Sequence, residues 1–551
     1  MKEKELIRIS TFYLMLLVAA VIFVCIAGSR LSGKIGVPTL FIFIALGMIF
    51  GSDGIFKIQF DNFHFAEQIC SVALVFIMFY GGFGTRWSEA RPVAGKSLLL
   101  SSAGVVLTAV LTGTFCHLVL KMEVLEGLLL GAVLGSTDAA SVFSILRSRK
   151  LNLKYGSASM LELESGSNDP FAYMMTLIIL SAMSGETDGA AILHMLFLQL
   201  FVGILVGAAI AWLSAWVLNR VEFSGEGFDT IFVFATALIS YGLSGVLGGN
   251  GYLSTYLTGI IMGNRELKNQ KSLVGFFDAF TGMMQMLLFF LLGLLAFPSQ
   301  MPAILLPALF IALFLTFVAR PAAVGILLAP FRPHLGQYLV VSWAGLRGAA
   351  SIVFAITATV SESYMKNDIF HIVFCVVLFS IIFQGSLLPV IARKCRMIDD
   401  KTDVMKTFSD YTENMQIQFI QIPIGGAHAW ANKKICDIPL MGGMRIVVIR
   451  RDGLTIVPRG QTVILEGDTV VLGAEGFADS RDIQLKEIVI TPEHRWCGKQ
   501  ICEAKFYKNT IIVMIKRGSQ TLIPDGNTEI REGDHVVVYS QKFLQEAPIG
   551  T

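Results

Sequence analysis

The chain has 551 residues, of which 54% are hydrophobic and 15% are charged, and its mean hydropathy is +0.66. Soluble globular domains carry a larger share of charged residues, so this composition excludes an ordinary soluble domain and predicts a polytopic membrane protein. The formal net charge of +2 is close to balance and gives no indication of a nucleic-acid partner.

Apolar stretches of about the 20 residues that cross a bilayer follow one another along the first 393 residues. They predict thirteen membrane spans, at residues 10–28, 36–52, 68–84, 97–120, 125–147, 160–183, 192–218, 229–249, 251–264, 273–297, 302–329, 337–360 and 368–393. The first stretch lacks a small-residue cleavage site, so we expect it to be retained as a span.

The basic residues between the predicted spans fall mostly in alternate loops. One set of loops contains Arg30, Lys34, Arg86, Arg91, Lys96, Arg147, Arg149, Lys150, Lys154, Arg220, Arg265, Lys268, Lys271 and Arg332, whereas the other contains Lys57, Lys121 and Lys366. Positively charged short loops stay in the cytoplasm, so the first set is predicted to be cytoplasmic. An odd number of spans then places the N-terminus outside and the C-terminal region in the cytoplasm.

Two acidic clusters lie inside predicted spans. They are residues 136–140, with the sequence STDAA, and residues 162–170, with the sequence ELESGSNDP. A carboxylate at membrane depth is costly, and its default explanation is ion or proton handling. The alternative is a purely structural network of charges.

The second cluster gathers oxygen atoms on one side of a helix. At about 100° per residue, Ser165 and Asp169 share one helical face, while Glu164 and Asn168 share the neighbouring face. Glu162 also shares the face of Asp169, although it could instead lie at the cytoplasmic entrance. Hydroxyl, amide and carboxylate oxygens therefore converge on one patch.

A dehydrated monovalent cation suits such a patch, and its predicted ligands are Asp169, Thr137 and Ser165. Thr137 and Asp138 come from a second segment, whose small residues favour close helix approach or local unwinding. A desolvated Asp169 would hold either a proton or a cation. If the site is exposed alternately to the two sides of the membrane, that competition produces antiport.

Two arginines within predicted spans also need partners. Arg347, in the sequence GLRGA, is expected to pair with a carboxylate such as Glu164, because an ionised guanidinium is costly to bury alone. Arg320, which precedes Pro321, is a second candidate, unless it lies near the cytoplasmic end of its span and extends to the interface.

After about residue 397 charged residues return and short β-branched runs replace the apolar stretches, which predicts a soluble domain rich in strands. Residues 449–471 recur as residues 515–537 at a constant offset of 66. The Glu466-Gly467-Asp468 turn recurs as Glu532-Gly533-Asp534. This recurrence indicates a tandem duplication, in which each unit is read as strand, short helix, strand, turn, strand, turn and strand.

The predicted domains are a membrane domain at residues 1–396, a linker at 397–414, and two α+β units at 415–476 and 481–545. The eight cysteines show no zinc spacing and are expected to be free thiols. Neither a phosphate loop nor a dinucleotide-binding glycine motif follows a strand in the tail, so we expect no cofactor and no enzyme activity.

The membrane motifs resemble a known family. STDAA at 136–140, ESGSNDP at 164–170 and GLRGA at 345–349 are similar, in order and spacing, to the NhaP-type branch of the monovalent cation:proton antiporters, over about residues 10–395. The resemblance implies inverted repeats, a rigid dimerisation part and a mobile core in which two broken helices cross beside the ion site. Many relatives have Pro where this chain has Ala139.

The same resemblance implies roles for individual residues. It makes Asp169 the exchanging carboxylate, Asn168 its structural neighbour, Thr137 and Ser165 cation ligands, and Glu164 the partner of Arg347. An Asn-Asp pair in place of Asp-Asp is associated in this superfamily with electroneutral one-for-one exchange.

Each tail unit resembles the C-terminal subdomain of regulator-of-potassium-conductance proteins, also called the TrkA C-terminal domain. That subdomain pairs as a dimer, and some members bind a small ligand such as cyclic di-AMP. The combination resembles bacterial potassium/proton antiporters that control cell volume, which implies a homodimer in the inner membrane that exchanges K⁺ for H⁺. The alternatives are a Na⁺(Li⁺)/H⁺ antiporter and a ligand-regulated ion channel, although no Thr-Val-Gly-Tyr-Gly filter occurs.

Overall fold

The computed structural model describes residues 12, 15–16, 18–30, 38–148, 151–185, 189–221, 227–265, 267, 270–361, 363, 365–399, 417–426, 428–440, 444–451, 454–475, 485–504, 510–517, 520–522 and 524–540. It divides into two compact units, Met1–Glu413 and Asn414–Thr551, and each is described by itself. Of the predicted linker at 397–414, all but residues 397–399 lie outside the described residues.

Helices make up the first unit. They are α1 (Val18–Arg30), α2 (Thr39–Phe50), α3 (Phe63–Gly84), α4 (Trp87–Ala90), α5 (Ala94–Ser101), α6 (Ala103–Leu120), α7 (Val124–Val133), α8 (Ala139–Ser148), α9 (Ser157–Met183), α10 (Gly189–Arg220), α11 (Phe228–Val246), α12 (Gly251–Gly263), α13 (Gln270–Leu294), α14 (Met301–Phe314), α15 (Arg320–Leu328), α16 (Leu335–Trp343), α17 (Ala349–Val360), α18 (Ile369–Phe379) and α19 (Ser386–Lys394). Two π-helical segments, Leu315–Ala319 and Ser380–Gly385, join α14 to α15 and α18 to α19, and a 3₁₀ turn, Ala329–Phe331, follows α15.

Every predicted span contains a helix or a broken helix. Within the described part of the chain, seven helices are long and apolar enough to cross a membrane. The prediction of a polytopic helical membrane protein is confirmed, while the count of thirteen spans stays a prediction.

Contacts between helices divide the first unit into two bundles. The scaffold bundle contains α2, α3 and α10 to α13, and the core bundle contains α5 to α9 and α14 to α19. Backbones touch directly inside each bundle: a Cβ at Gly259 would lie 2.2 Å from the Phe79 carbonyl oxygen in the scaffold, and one at Gly131 would lie 2.4 Å from the Ala109 oxygen in the core. The bundles meet along α3, α9, α10, α12 and α17.

Two helices of the core bundle are interrupted, between α7 and α8 and between α16 and α17. The two interruptions, residues 134–138 and 344–348, lie against each other, because the Asp138 N–H donates to the Leu346 carbonyl oxygen at 2.7 Å. A Cβ at Gly348 would lie 2.4 Å from the Asp138 Cβ, so only glycine allows this approach. The crossing of two broken helices, which is typical of transporters, is therefore present.

The second unit contains two four-stranded antiparallel sheets with the same topology. Their strands are β1 (Ile417–Pro423), β2 (Arg445–Arg451), β3 (Leu454–Ile456) and β4 (Thr469–Glu475), and β5 (Leu485–Val489), β6 (Thr510–Arg517), β7 (Gln520–Leu522) and β8 (His535–Ser540). The strand orders are β1-β4-β2-β3 and β5-β8-β6-β7. The register shift between Ile446 and Val448 recurs between Ile512 and Met514, which confirms the duplication in detail.

An ion pair closes each sheet at the predicted Glu-Gly-Asp turn. Asp468 accepts from Arg451 Nε at 2.7 Å, and Asp534 accepts from Arg517 Nη2 at 2.7 Å. Hydrogen bonds from Arg451 hold the pKa of Asp468 below its usual range. Each of the two tail repeats was predicted to contain a short helix. In the first repeat it is a 3₁₀ turn, Ile435–Asp437, and in the second repeat turns at residues 501–503 replace it.

Candidate functional site

A cavity of about 560 Å³ opens between the two bundles and reaches the crossing. Four carboxylates lie on its wall, those of Asp138, Glu162, Asp169 and Asp278. Among the described residues no Lys, Arg or His lines it. A cavity lined by one sign of charge raises the local concentration of the opposite ion, so this cavity favours cations.

The cavity lies near the ends of helices that enter basic loops. Gly84, the last residue of α3, lines it, and Arg86 follows in the chain. Glu162 lies in the second turn of α9, shortly after Lys154. By the rule that basic loops are cytoplasmic, the cavity opens toward the predicted cytoplasmic side.

The interruption between α7 and α8 is fastened to α9 through Thr137. The Asn168 amide donates through Nδ2 to Thr137 Oγ1 at 2.6 Å and accepts from the Thr137 N–H at 3.3 Å. The Ser165 hydroxyl donates to the Thr137 carbonyl oxygen at 2.7 Å. Ser165 and Asn168, which the sequence placed on neighbouring faces of one helix, thus both contact Thr137 of the second segment. Asn168 is buried and does not line the cavity.

Ala139, where many relatives have Pro, contributes a backbone donor. Its N–H donates to Ser165 Oγ at 2.9 Å, a bond that Pro could not make. The interruption ends at this residue and α8 begins. The helix break is therefore present with Ala at this position, and the Ala139 N–H joins it to α9.

Asp169 has a single hydrogen-bond donor among the described side chains. The Ser136 hydroxyl donates to its Oδ1, and no described basic residue forms an ion pair with it. Ser136 was missing from the predicted site, although it begins the first acidic cluster. A carboxylate with so few partners, on the wall of a cavity, is available to an ion that enters from solution.

Asp138 has a different setting, because it directly precedes α8. Its Oδ1 accepts from the Ser141 N–H at 3.1 Å, and its Oδ2 accepts from the Ser141 hydroxyl. This is an N-cap, which satisfies a free backbone donor and places a negative charge at the positive end of a helix. Asp138 therefore has a structural role in addition to any contact with a cation.

The expected pairing of Glu164 with Arg347 is wrong. Glu164 is bonded at both carboxylate oxygens by Arg320, at 2.5 Å from Nη1 and 3.0 Å from Nη2. Arg320 is 4% exposed and Glu164 is 1% exposed, so Arg320 does not extend to the interface. The π-helical segment Leu315–Ala319 directly precedes Arg320, and such a segment changes which residues of a helix face inward.

Arg347 instead fastens the crossing. Its Nη1 donates to the Ser136 carbonyl oxygen at 2.9 Å, and its backbone N–H donates to Ser380 Oγ at 3.0 Å. The side chain is 3% exposed. Because it lies in the second interruption, its guanidinium meets the unsatisfied carbonyl groups of the first rather than α9.

Two further carboxylates line the cavity outside the two interruptions. Glu162 lines the same cavity as Asp169. Asp278, on α13 of the scaffold bundle, accepts from Tyr80 Oη at 3.1 Å and was not predicted. The signal was present, because Asp278 is a carboxylate within the apolar stretch 273–297.

The chain matches known families over most of its length. Residues 19–394 match the family described as sodium/hydrogen exchanger, transmembrane. Residues 420–475 and 485–542 each match the TrkA-C domain.

Among curated proteins, the chain is 33% identical to the K⁺/H⁺ antiporter NhaP of Alkalimonas amylolytica, over 85% of this chain and 82% of the relative. It is also 33% identical to the K⁺/H⁺ antiporter NhaP2 of Shewanella oneidensis, over 81% of this chain and 79% of the relative. The solved structure of the sodium proton antiporter MjNhaP1 of Methanocaldococcus jannaschii superposes with a TM-score of 0.60, covering 69% of this chain and 99% of that one at 22% identity. At that identity the superposition is evidence for the fold alone.

Proposed function

This chain belongs to the sodium/hydrogen exchanger family, and from that premise we propose that it is a secondary active transporter that exchanges K⁺ for H⁺ across the bacterial inner membrane. One observation carries the proposal. Asp169 lies on the wall of an acidic cavity, and among the described side chains only the Ser136 hydroxyl donates a hydrogen bond to it. Glu164, on the same helix, is instead bonded at both carboxylate oxygens by Arg320.

Asp169 is the exchanging group in this proposal. A proton bound to its carboxyl leaves when a cation binds the carboxylate, and the cation leaves when a proton returns. The two occupants compete for one site. Since the cavity reaches Asp169 from one side, transport requires that the core bundle later expose the same carboxylate to the opposite side.

Thr137 and Ser165 are the neutral oxygen ligands that we propose beside Asp169. Both line the cavity, and both still offer lone pairs after their hydrogen bonds to α9 and to the interruption. Asp138 contributes negative charge from the opposite wall. Asn168 and the pair of Glu164 with Arg320 support these groups from behind.

Potassium is favoured over sodium because the relatives that match more than three quarters of the chain are named K⁺/H⁺ antiporters. Oxygen ligands by themselves do not separate the two ions, because selectivity depends on cavity size and flexibility. Sodium, or lithium, as the exchanged ion is therefore the alternative. We further propose one-for-one exchange, since Asn168 stands where a second carboxylate would add a second exchangeable charge.

The tail is proposed to regulate the membrane unit. Its two TrkA-C units have the same topology and the same turn contacts. We propose that such paired units bind a small ligand, for example a cyclic dinucleotide. A homodimer is part of the same proposal, because subdomains of this kind pair across a two-fold axis.

The test is transport by the purified full-length protein in proteoliposomes that contain a pH-sensitive dye. After a pH gradient is imposed, K⁺, Na⁺ or Li⁺ is added in turn, and we expect K⁺ to move protons across the membrane. Asp169→Asn should abolish this response, while Glu89→Gln, a matched change in an exposed pair with Arg86, should not. A response to Na⁺ alone would change the substrate, and cation flux without proton movement would favour a channel.

A further inference from the structure

A buried hydrogen bond joins the scaffold bundle to the ion-site helix. Asn250, at the start of α12 in the scaffold, donates through Nδ2 to the carbonyl oxygen of Pro170 on α9 at 2.8 Å. Asn250 is 2% exposed and Pro170 is also buried. Because Pro170 follows Asp169 directly, this bond is made to the peptide unit next to the exchanging carboxylate.

Two further polar groups of Asn250 are anchored inside the scaffold. Its Oδ1 caps α12 by accepting from the Leu253 N–H at 3.0 Å, and its own N–H donates to the Gln199 carbonyl oxygen of α10 at 3.0 Å. Asp, Ser and Thr also cap helices, but none offers an acceptor and an amide donor together in this arrangement. Asn is therefore required for the bond across the bundles rather than for the cap.

The partner stretch of α9 packs closely against α12 of the scaffold. A Cβ at Gly166 would lie 2.4 Å from the ring of Tyr256 on α12, so no larger residue fits there. Pro170 has no N–H and leaves the turn of α9 before it one hydrogen bond short. Around Asp169, α9 thus meets the scaffold through the glycine face at Gly166, the neighbouring contact of Ser167 with Tyr256, and the hydrogen bond accepted by Pro170.

We propose that Asn250 is a positioning residue that holds the ion-site helix in the inward-open arrangement and must release Pro170 before the site can face the opposite side. The inference rests on the proposed exchange function and adds to it the contact that opposes movement of the core. Asn250 touches neither the cation nor Asp169. Its loss should change which side the site faces and leave the ligands of the cation intact.

The expected effect is a change in sidedness. Removing one buried neutral hydrogen bond from the inward-open form should lower its population about fivefold relative to the outward form, a factor that corresponds to about 1 kcal/mol. The half-saturating K⁺ concentration should then rise on the cytoplasmic face and fall on the outer face.

The experiment compares inside-out with right-side-out membrane vesicles that contain the full-length protein. Half-saturating K⁺ is measured on each face for the wild type, Asn250→Asp and Asn250→Ser, both of which keep an oxygen to cap α12. Asn264→Ala is the matched control, because Asn264 Nδ2 donates to the Thr85 carbonyl oxygen at 2.8 Å within the scaffold bundle. A purely structural role would change activity on both faces equally.

In the supporting result, the ratio of outer to cytoplasmic half-saturation falls about fivefold in both Asn250 variants and is unchanged in Asn264→Ala. An unchanged ratio in active Asn250 variants would overturn the inference. So would failure of Asn250→Ser to fold, since this neutral variant retains an oxygen to cap α12 and loses the amide that bonds Pro170. A wild type that exchanges no cation would instead overturn the proposed function.

Discussion

Two carboxylates on one helix of the core bundle have opposite surroundings. Glu164 is 1% exposed and accepts two hydrogen bonds from one guanidinium, that of Arg320. Asp169, a little more than one turn farther along α9, lies on the cavity wall and accepts from the Ser136 hydroxyl. The same chemical group is thus paired with a guanidinium at one position and accessible from a cavity at the other.

The difference shows that burial alone does not identify a transport residue. A bidentate pair with Arg compensates the desolvation of both charges and leaves no room for another ion. A carboxylate without a basic partner must instead be compensated by a mobile charge, either a proton or a cation. Substitutions that remove either a carboxylate or its partner should therefore separate the two cases.

The largest effect is expected at the exchangeable position. Asp169→Asn should reduce cation/proton exchange to background, because the amide binds neither a proton nor a cation in the same pH range, and the thermal unfolding temperature should stay close to that of the wild type. Exchange in proteoliposomes and scanning fluorimetry measure the two quantities. Robust exchange by the variant would show that another group carries the ion.

The structural position should respond in the opposite way. Arg320→Met should destabilise the protein by about 3–5 kcal/mol, because it leaves the Glu164 charge buried and unpaired. The double variant Arg320→Met with Glu164→Gln should recover most of this loss. Thermal unfolding of the purified proteins tests the pair, and a single variant as stable as the wild type would contradict the assignment of Glu164 to Arg320.

A smaller effect is expected from the other two carboxylates of the cavity wall, those of Glu162 and Asp278. Glu162→Gln and Asp278→Asn should each raise the half-saturating K⁺ concentration about two- to fivefold at low ionic strength, with unchanged maximal rate, because they act by attraction over a distance. The increase should disappear at high ionic strength, where such attraction is screened. Glu89→Gln is the control, and salt-independent changes would indicate direct contact with the cation instead.

The smallest effect concerns a carboxylate that is buried but paired with a partly exposed arginine. The Asp468 side chain is 0% exposed and that of Arg451 is 30% exposed. Hydrogen bonds from Arg451 lower the pKa of Asp468 in the folded protein. The pair therefore stabilises the first tail unit above about pH 4, the pKa of an unfolded Asp. This stabilisation is lost as the pH falls through the lower pKa of the folded state. We expect about 1 kcal/mol.

Hydrogen exchange of residues 469–475 in the full-length protein measures this contribution. Asp468→Asn should reduce protection of β4 at neutral pH and make it less dependent on pH between about 3 and 6. Asp437→Asn, in the same unit, should leave the protection of β4 as it is in the wild type. Equal protection in the wild type and Asp468→Asn at neutral pH would show that the ion pair contributes nothing.

Periodicity and composition were sufficient for much of the architecture. The apolar stretches coincide with the helices, and the offset of 66 coincides with two sheets of one topology. Helical spacing also grouped Ser165, Asn168 and Asp169 correctly in space, and all three meet the interruption that contains Thr137. The roles of these residues in ion binding stay predictions.

The partners of the arginines could not be read from the sequence. Whether Arg320 or Arg347 reaches Glu164 depends on the helix register after the π-helical segment and on the crossing of two interruptions, and neither follows a fixed residue period. Asp278, in contrast, could have been predicted from the sequence. It is a carboxylate within an apolar stretch, and that rule identified Asp169. The closeness of α3, α9 and α13 around the cavity is a tertiary property that no local pattern contains.

The arginines and carboxylates at the depth of the crossing also determine the electrical work of transport. Counted as ionised, Asp138, Glu164 and Asp169 contribute three negative charges, and Arg320 and Arg347 contribute two positive charges. In the one-for-one exchange that we propose, one bound proton or one K⁺ would bring this sum to zero, and a loaded core would cross the membrane potential without electrical work. An empty core has one uncompensated charge, which is worth about 2.3 kcal/mol per 100 mV in addition to its desolvation. The empty carrier is thereby held in place, and uncoupled leakage is suppressed.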